Sequence, residues 1–153
     1  MEYQVRTARI TDIERIVALS DAPLRTGSAG PLGGADLLRQ LVYLPQASIF
    51  VAESRREVVG GAVLALRPSV RAGGYVGTVD LLVIDPAHDI DRIMDALLDE
   101  VLRSASNKGC SVVEASRPDD AAARARWERH GFGEAGPILE RSVAVVGAAA
   151  RRG

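Results

Sequence analysis

Residues 79–105, VDLLVIDPAHDIDRIMDALLDEVLRSA, decide the fold. Their first part, Leu81-Leu82-Val83-Ile84, is apolar without alternation, the pattern of a strand covered on both faces. Further along, Ile90, Ile93, Met94, Leu97, Leu98, Val101, Leu102 and Ala105 recur at steps of three and four residues. That spacing gathers the apolar side chains onto one stripe of a helix, which must lie on a sheet. A covered strand leading into an amphipathic helix is the repeating unit of a layered α/β domain.

Working upstream, Tyr75 to Ile84 reads as one strand. Ahead of it, Ser48 to Glu53 and Glu57 to Leu66, separated by the polar Ser54-Arg55-Arg56, read as an antiparallel hairpin, and the chain is expected to turn through Arg67 to Gly74. The pairs Gly60-Gly61 and Gly73-Gly74 fit no phosphate-loop pattern and predict a bulge and a turn. Leu37, Leu38, Leu41 and Val42 predict a helix ended before Pro45, after a loop from Ala22 to Gly34 that holds four glycines and two prolines. Tyr3 to Arg9 alternates as a strand does, and Thr11-Asp12 opens a helix carrying Ile13, Ile16, Val17 and Leu19.

Downstream, Gly109 precedes a short strand at Cys110 to Ala115. A helix follows from the Pro118-Asp119-Asp120 start signal to the stop glycine Gly131. Strand is expected again from Phe132 onward, including Ile138 to Val146, with a frayed end at 147–153. The fold class is therefore α/β, more narrowly an α+β mixed sheet with helices on both faces, in one domain over residues 1–146.

Composition narrows the function. The chain has 153 residues, 47% of them hydrophobic, enough to bury a sizeable core. With 19 basic against 20 acidic residues the net charge is -1, so no bulk field draws the protein to nucleic acid or an anionic membrane. Cys110 is the only cysteine, which excludes an intrachain disulfide and a cysteine-built zinc site and points to a reducing compartment, the cytoplasm by default. The start lacks a signal-peptide core, and the longest apolar run, Val58 to Leu66, is well short of the roughly 20 residues a membrane span needs.

Two motifs carry a resemblance. The stretch Val79-Asp80-Leu81-Leu82-Val83-Ile84-Asp85-Pro86 resembles the fourth strand of the GCN5-related N-acetyltransferases (GNAT), which ends in a Val-x-Pro signature, with one extra residue here between Val83 and Pro86. Trp127-Glu128-Arg129-His130-Gly131-Phe132 is similar to that family's Tyr-Glu-x-x-Gly-Phe stretch. The element order matches over nearly the whole chain. The resemblance implies a GNAT-like acyl-CoA N-acyltransferase fold, acetyl-CoA as cosubstrate between splayed fourth and fifth strands, and acetyl transfer to a primary amine on a small molecule or peptide. It implies that backbone groups of Leu82, Val83 and Ile84 pair with the pantetheine arm. The pyrophosphate is then expected at the amino end of the long helix, where unpaired N–H groups favour an anion.

At that helix end the family's Arg/Gln-x-x-Gly-x-Gly loop aligns with Asp89 to Met94, so Arg92 and Met94 stand in the glycine places. Side chains there are expected to obstruct close approach, and Asp85, Asp89, Asp91 and Asp95 to repel a diphosphate. The same acids also suit plain helix capping. Arg92, Ile93 and Met94 are the candidate cofactor contacts, with Arg92 the one compensating charge. Trp127 stands where the family has a tyrosine able to protonate the leaving thiolate; an indole N–H is a poor acid, and a helix aromatic packed on the core is the alternative role.

For the amine's proton, Asp80 is the candidate base, with Glu114 second; the alternative is a solvent-facing strand aspartate. His88 and His130 lack a third ligand of metal spacing, so no metal site is expected. His130 is expected near a helix carboxyl end and Cys110 inside a strand. Two readings follow: an N-acetyltransferase, and a GNAT-fold ligand-binding or interaction module with weak or lost CoA binding. Either is compatible with a homodimer.

Overall fold

The structure is a computed structural model that describes residues 2–20, 33–136, 139 and 141–144. Its elements are β1 (Gln4–Thr7), a 3-10 turn (Ile10–Asp12), α1 (Ile13–Leu19), α2 (Gly34–Leu41), β2 (Ala47–Ser54), β3 (Glu57–Ser69), β4 (Gly74–Ile84), α3 (Ile90–Asn107), β5 (Cys110–Ala115) and α4 (Ala121–Arg129). The described strands form one mixed sheet in the order β1-β2-β3-β4-β5. The first four are antiparallel neighbours, and β5 joins β4 in parallel after the α3 crossover.

Strand alternation sends neighbouring side chains into two cores. Phe50, Ala52, Ala62 and Leu64 meet Ile93, Leu97, Leu98 and Val101 of α3 on one face. Ile49, Val51 and Val63 meet Ile13 and Ile16 of α1 and Leu38 of α2 on the other. The period-2 pattern of β2 and β3 and the helical period of α3 thus describe one packing. Ile93, Leu97, Leu98 and Val101 are fully buried, as their spacing predicts.

The glycine pair in β3 marks where both helix layers come closest. A Cβ on Gly60 would stand 2.8 Å from Ile93 Cγ2, and one on Gly61 would stand 3.1 Å from Ile16 Cγ1. The register slips between Ala52 and Glu53, leaving Val59 as an extra residue beside this pair, so the predicted bulge is present. The predicted turn is present too, with Gly73 at φ +70°.

Three expectations change. Arg67 to Ser69 continue β3 opposite Gly74 to Val76 rather than turning. Leu66 donates its N–H toward Gln46 on the β2 side, so Pro68, two residues on, directs its missing donor to that same side, where no strand follows. The reading that puts Leu81 to Ile84 and Ser111 to Ala115 at the centre of the sheet holds for β4 only: β5 is the last strand of the described sheet, and it pairs with Tyr75 to Val79. Phe132 to Gly136 form no strand, because Gly131 and Gly136 take positive φ and break extension. Residues 139 and 141–144 are likewise irregular. The rest of the expected Ile138 to Val146 strand, the tail 147–153 and nearly all of the Ala22 to Gly34 loop lie outside the described residues.

Candidate active site

β4 carries the candidate site, the part of the strand where it loses one neighbour. The β4–β5 ladder ends at Val79–Ala115, whereas β4 runs on to Ile84 beside β3. At that point the β3–β4 register slips between Val63 and Leu64, opposite Leu81 and Val79, which makes Asp80 the extra residue of a bulge. From Asp80 to Ile84, β4 therefore has no described strand on its β5 side. Backbone groups on such an edge are available to an extended ligand.

The apolar side chains along that edge are already committed. Val83 is buried in the α1/α2 core with Leu81 packed beside it, and Leu82 and Ile84 lean on the α3 core. Asp80 is exposed and takes no hydrogen bond from a described residue. Glu114, the second carboxylate, accepts from Thr78 Oγ1 and from Arg67, each at 3.4 Å.

Beyond Ile84 the chain makes a tight, pinned turn. Asp85 donates its N–H to Val59 O at 2.8 Å, and its carboxylate accepts from Ala87 N–H at 2.9 Å and from Arg15 of α1 at 3.0 Å. Arg15 also donates to Val58 O at 3.0 Å, so α1, β3 and this turn share one guanidinium. Asp89 is the N-cap of α3: Oδ1 accepts from Arg92 N–H at 3.2 Å, and its own N–H points to Tyr3 Oη at 3.3 Å.

Capping is what Asp89 does, and all four acids are paired rather than bare. Arg92 lies 3.7 Å from Asp89. Asp91 is met by Arg126 at 3.1 Å and Arg129 at 3.4 Å, and Asp95 by Arg129 at 3.3 Å. Hydrogen bonding to Asp95, followed by the field of Asp91, raises the Arg129 pKa above its ordinary value. Each of the four aspartates expected to repel a diphosphate thus has a cationic partner.

The expectation that Met94 obstructs the helix end is also corrected, because Met94 is 3% exposed and Ile93 fully buried, both turned into the α3 core. Position 94 is one turn into the helix on its apolar stripe, so its side chain faces the sheet and not an incoming anion.

The Trp127 to Phe132 motif is a helix stop. Gly131, at φ +86°, donates to Glu128 O at 2.9 Å, and Phe132 N–H donates to Trp127 O at 3.2 Å. These are the two bonds of a Schellman cap, and its usual apolar contact is here the Trp127–Phe132 edge-to-face pair at 4.9 Å. Trp127 is therefore partly buried against the α3 core in its packing role. His130 ends α4, and its ring Nε2 sits 2.9 Å from Asp95 Oδ1, buried but without the alignment of a hydrogen bond.

Two cavities, of about 380 and 350 Å³, lie away from the β4 edge. One is lined by Thr7, Ser48, Phe50, Ser104 and Lys108, and the other by Tyr3, Val5, Asp99 and Arg103. Neither includes a β4 or β5 residue.

Comparison with known proteins decides the family, since the model of the acetyltransferase (GNAT) family matches residues 16–132. The chain belongs to the GNAT family. That span includes the bulged strand, the turn, α3, β5, and the Schellman cap, whose Phe132 closes the match. No curated protein matches the GNAT chain. Solved structures share its fold at low identity. A transcriptional regulator from Bacillus halodurans C-125 is 19% identical with a TM-score of 0.76, covering 93% of this chain and 100% of its own. An integron cassette protein from the mobile metagenome of Cole Harbour Salt Marsh is 25% identical, with a TM-score of 0.73 and coverages of 93% and 91%. A Trypanosoma brucei acetyltransferase is 20% identical, with a TM-score of 0.70 and coverages of 93% and 100%.

Sequence reasoning missed the α3–α4 ion pairs and the Arg15–Asp85 bridge. The first left a trace: Asp91 and Asp95 are four apart on α3, and Arg126 and Arg129 three apart on α4, so each pair shares a helix face. Arg15 and Asp85, 70 residues apart, left none.

Proposed function

We propose that this GNAT chain is an N-acetyltransferase that uses acetyl-CoA and acetylates a primary amine on a small molecule or peptide. The observation that carries the reading is the open β4 edge from Asp80 to Ile84, beginning at a bulge where the β5 ladder stops. Acetyl-CoA supplies the activated acyl group as a thioester. The edge backbone at Leu82, Val83 and Ile84 gives the amide groups of the pantetheine arm their partners, in the manner of strand addition.

Asp80 is the proposed base. Its carboxylate is exposed and carries no competing hydrogen bond from a described residue, which leaves it available to take the proton of an ammonium or amine. Glu114 is less suited, since Arg67 and Thr78 already occupy one of its oxygens. Trp127 provides no acid for the departing thiolate, so water or backbone N–H groups assist that step. The single cysteine supports a reducing, cytoplasmic setting. Among the described residues, no helix is long and apolar enough to cross a membrane.

Calorimetric titration with acetyl-CoA, followed by thiol release over a panel of amines, tests the reading. Saturable 1:1 binding and amine-dependent thiol release are expected, with Asp80→Asn lowering turnover about 10²-fold at unchanged acetyl-CoA affinity. Absence of binding at millimolar acetyl-CoA would favour the non-catalytic module instead.

A further inference from the structure

The cavity of about 380 Å³ lies at the end of the sheet opposite to the open β4 edge. β2 and β4 are both antiparallel to β3 and so share a direction, and the cavity opens at the start of β2, where Ala47 and Ser48 extend past the end of β1. Its other wall is the carboxyl half of α3, whose Glu100, Ser104 and Lys108 follow at steps of four residues along one helix face. At about 1.5 Å per residue, Ser104 stands about 21 Å along the axis from Ile90, the first residue of α3. The cavity is therefore separate from the candidate site on β4.

Lys108 is the single lysine of the chain, the other basic residues being arginines. Its Nζ donates to Ser48 Oγ at 2.6 Å, which ties the end of α3 to the start of β2, and both residues line the cavity. Among the described residues, no carboxylate pairs with this ammonium. An ammonium has three donors, of which this bond uses one, and a serine hydroxyl that accepts still has its own O–H to give. The two side chains thus offer several donors to one acceptor. The facing wall is apolar, made of Leu41 and Val42 at the end of α2 with the buried Ile49 and Phe50.

We propose that this cavity binds a small monocarboxylate with an apolar body, its carboxylate on Lys108 and Ser48 and its body against Leu41 and Val42. The site is independent of the acetyl-CoA reading. A hydrogen bond from an ammonium to a carboxylate is stronger than a neutral one, and Lys108 has no anion to give up for it. The single charge follows from the lining, because Glu100, held by Arg103, stands about two helical turns from Lys108 and repels a second negative group. The volume is at the lower end of the range for small-ligand sites, about 300–1,000 Å³. The negative end of the α3 dipole opposes an anion, but its last carbonyls are taken: Lys108 N–H donates to Ser104 O at 3.0 Å and Gly109 N–H to Ser106 O at 3.1 Å.

Nuclear magnetic resonance titration of the full chain tests the site, with isovalerate as the monocarboxylate, succinate as a dianion and isoamyl alcohol as the uncharged apolar body. Isovalerate is expected to give saturable shifts at the Ser48, Ser104 and Lys108 amides and none at Leu82 to Ile84. Succinate and isoamyl alcohol are each expected to bind about tenfold more weakly or worse, and Lys108→Gln to lower isovalerate affinity by about tenfold. Ser48→Ala is expected to lower it about threefold, and it probes the same contact if Lys108→Gln fails to fold by circular dichroism. No saturable shift with isovalerate, equal binding of succinate or of isoamyl alcohol, wild-type affinity in a folded variant, or shifts centred on Leu82 to Ile84 overturns the monocarboxylate site.

Discussion

Asp12 is the one charged residue buried among the described residues, at 8% exposure, and its environment explains why it stays ionised. Arg6 grips both carboxylate oxygens at 2.8 and 3.1 Å, and Arg9 N–H adds a third bond at 2.7 Å. The Arg6 hydrogen bond, opposed by partial burial, holds the Asp12 pKa below the usual carboxylate value. A lowered folded-state pKa means that this stabilisation is complete above the unfolded value, about 3.9, and lost as pH falls through the folded value. Asp12→Asn should therefore cost about 1–3 kcal/mol at pH 7, and urea melts should show the gap to wild type closing as pH falls below the unfolded value. At Gly60 the constraint is space. A methyl group there would meet Ile93 Cγ2 at 2.8 Å and the immovable Val83 O at 3.1 Å, so Gly60→Ala should destabilise by about 1–3 kcal/mol in the same assay. Neither site was legible beyond a helix-start aspartate and a glycine pair: the turn that brings Arg6 back onto Asp12 has no mark in the residue pattern, and the neighbours of Gly60 come from α3 and β4, far along the chain.

Elements with strong period were legible, and those governed by pairing were not. The stripe of α3 places its own buried face, and Asp120 and Asp89 cap the helices they precede through Ala123 and Arg92 N–H. The end of the β5 ladder at Ala115, on which the candidate site depends, is a property of two strands and has no signature in either. The Arg55-Arg56 turn shows a different mismatch. Its position between the two strands was readable, but the turn needs positive φ at both central residues, and these adopt 52° and 67° with long side chains attached. Such turns favour Asn followed by Gly. Relieving the left-handed strain with Arg55→Asn and Arg56→Gly together should stabilise the protein by about 1 kcal/mol, read as a higher denaturant midpoint at unchanged slope.

On the scale of the whole molecule, one sheet serves two cores, and this governs how the protein should unfold. α3 packs on one face and α1 with α2 on the other, yet both layers rest on the same β2 and β3 residues taken alternately. Neither layer can leave without stripping a face from the strands that support its counterpart, so a single cooperative transition is expected. Side chains on opposite faces share no partner, however, and their local losses should be independent. Ile13 and Ile93, each fully buried, test both halves of this argument from opposite layers. Ile13→Val and Ile93→Val should each cost about 0.5–1.5 kcal/mol, mild enough to keep the double variant folded. The double variant should lose the sum to within about 0.5 kcal/mol, in one transition of unchanged slope. Two resolved transitions, or a double loss differing from the sum by 1 kcal/mol or more, would mean that the layers do not act as independent faces of a single cooperative sheet.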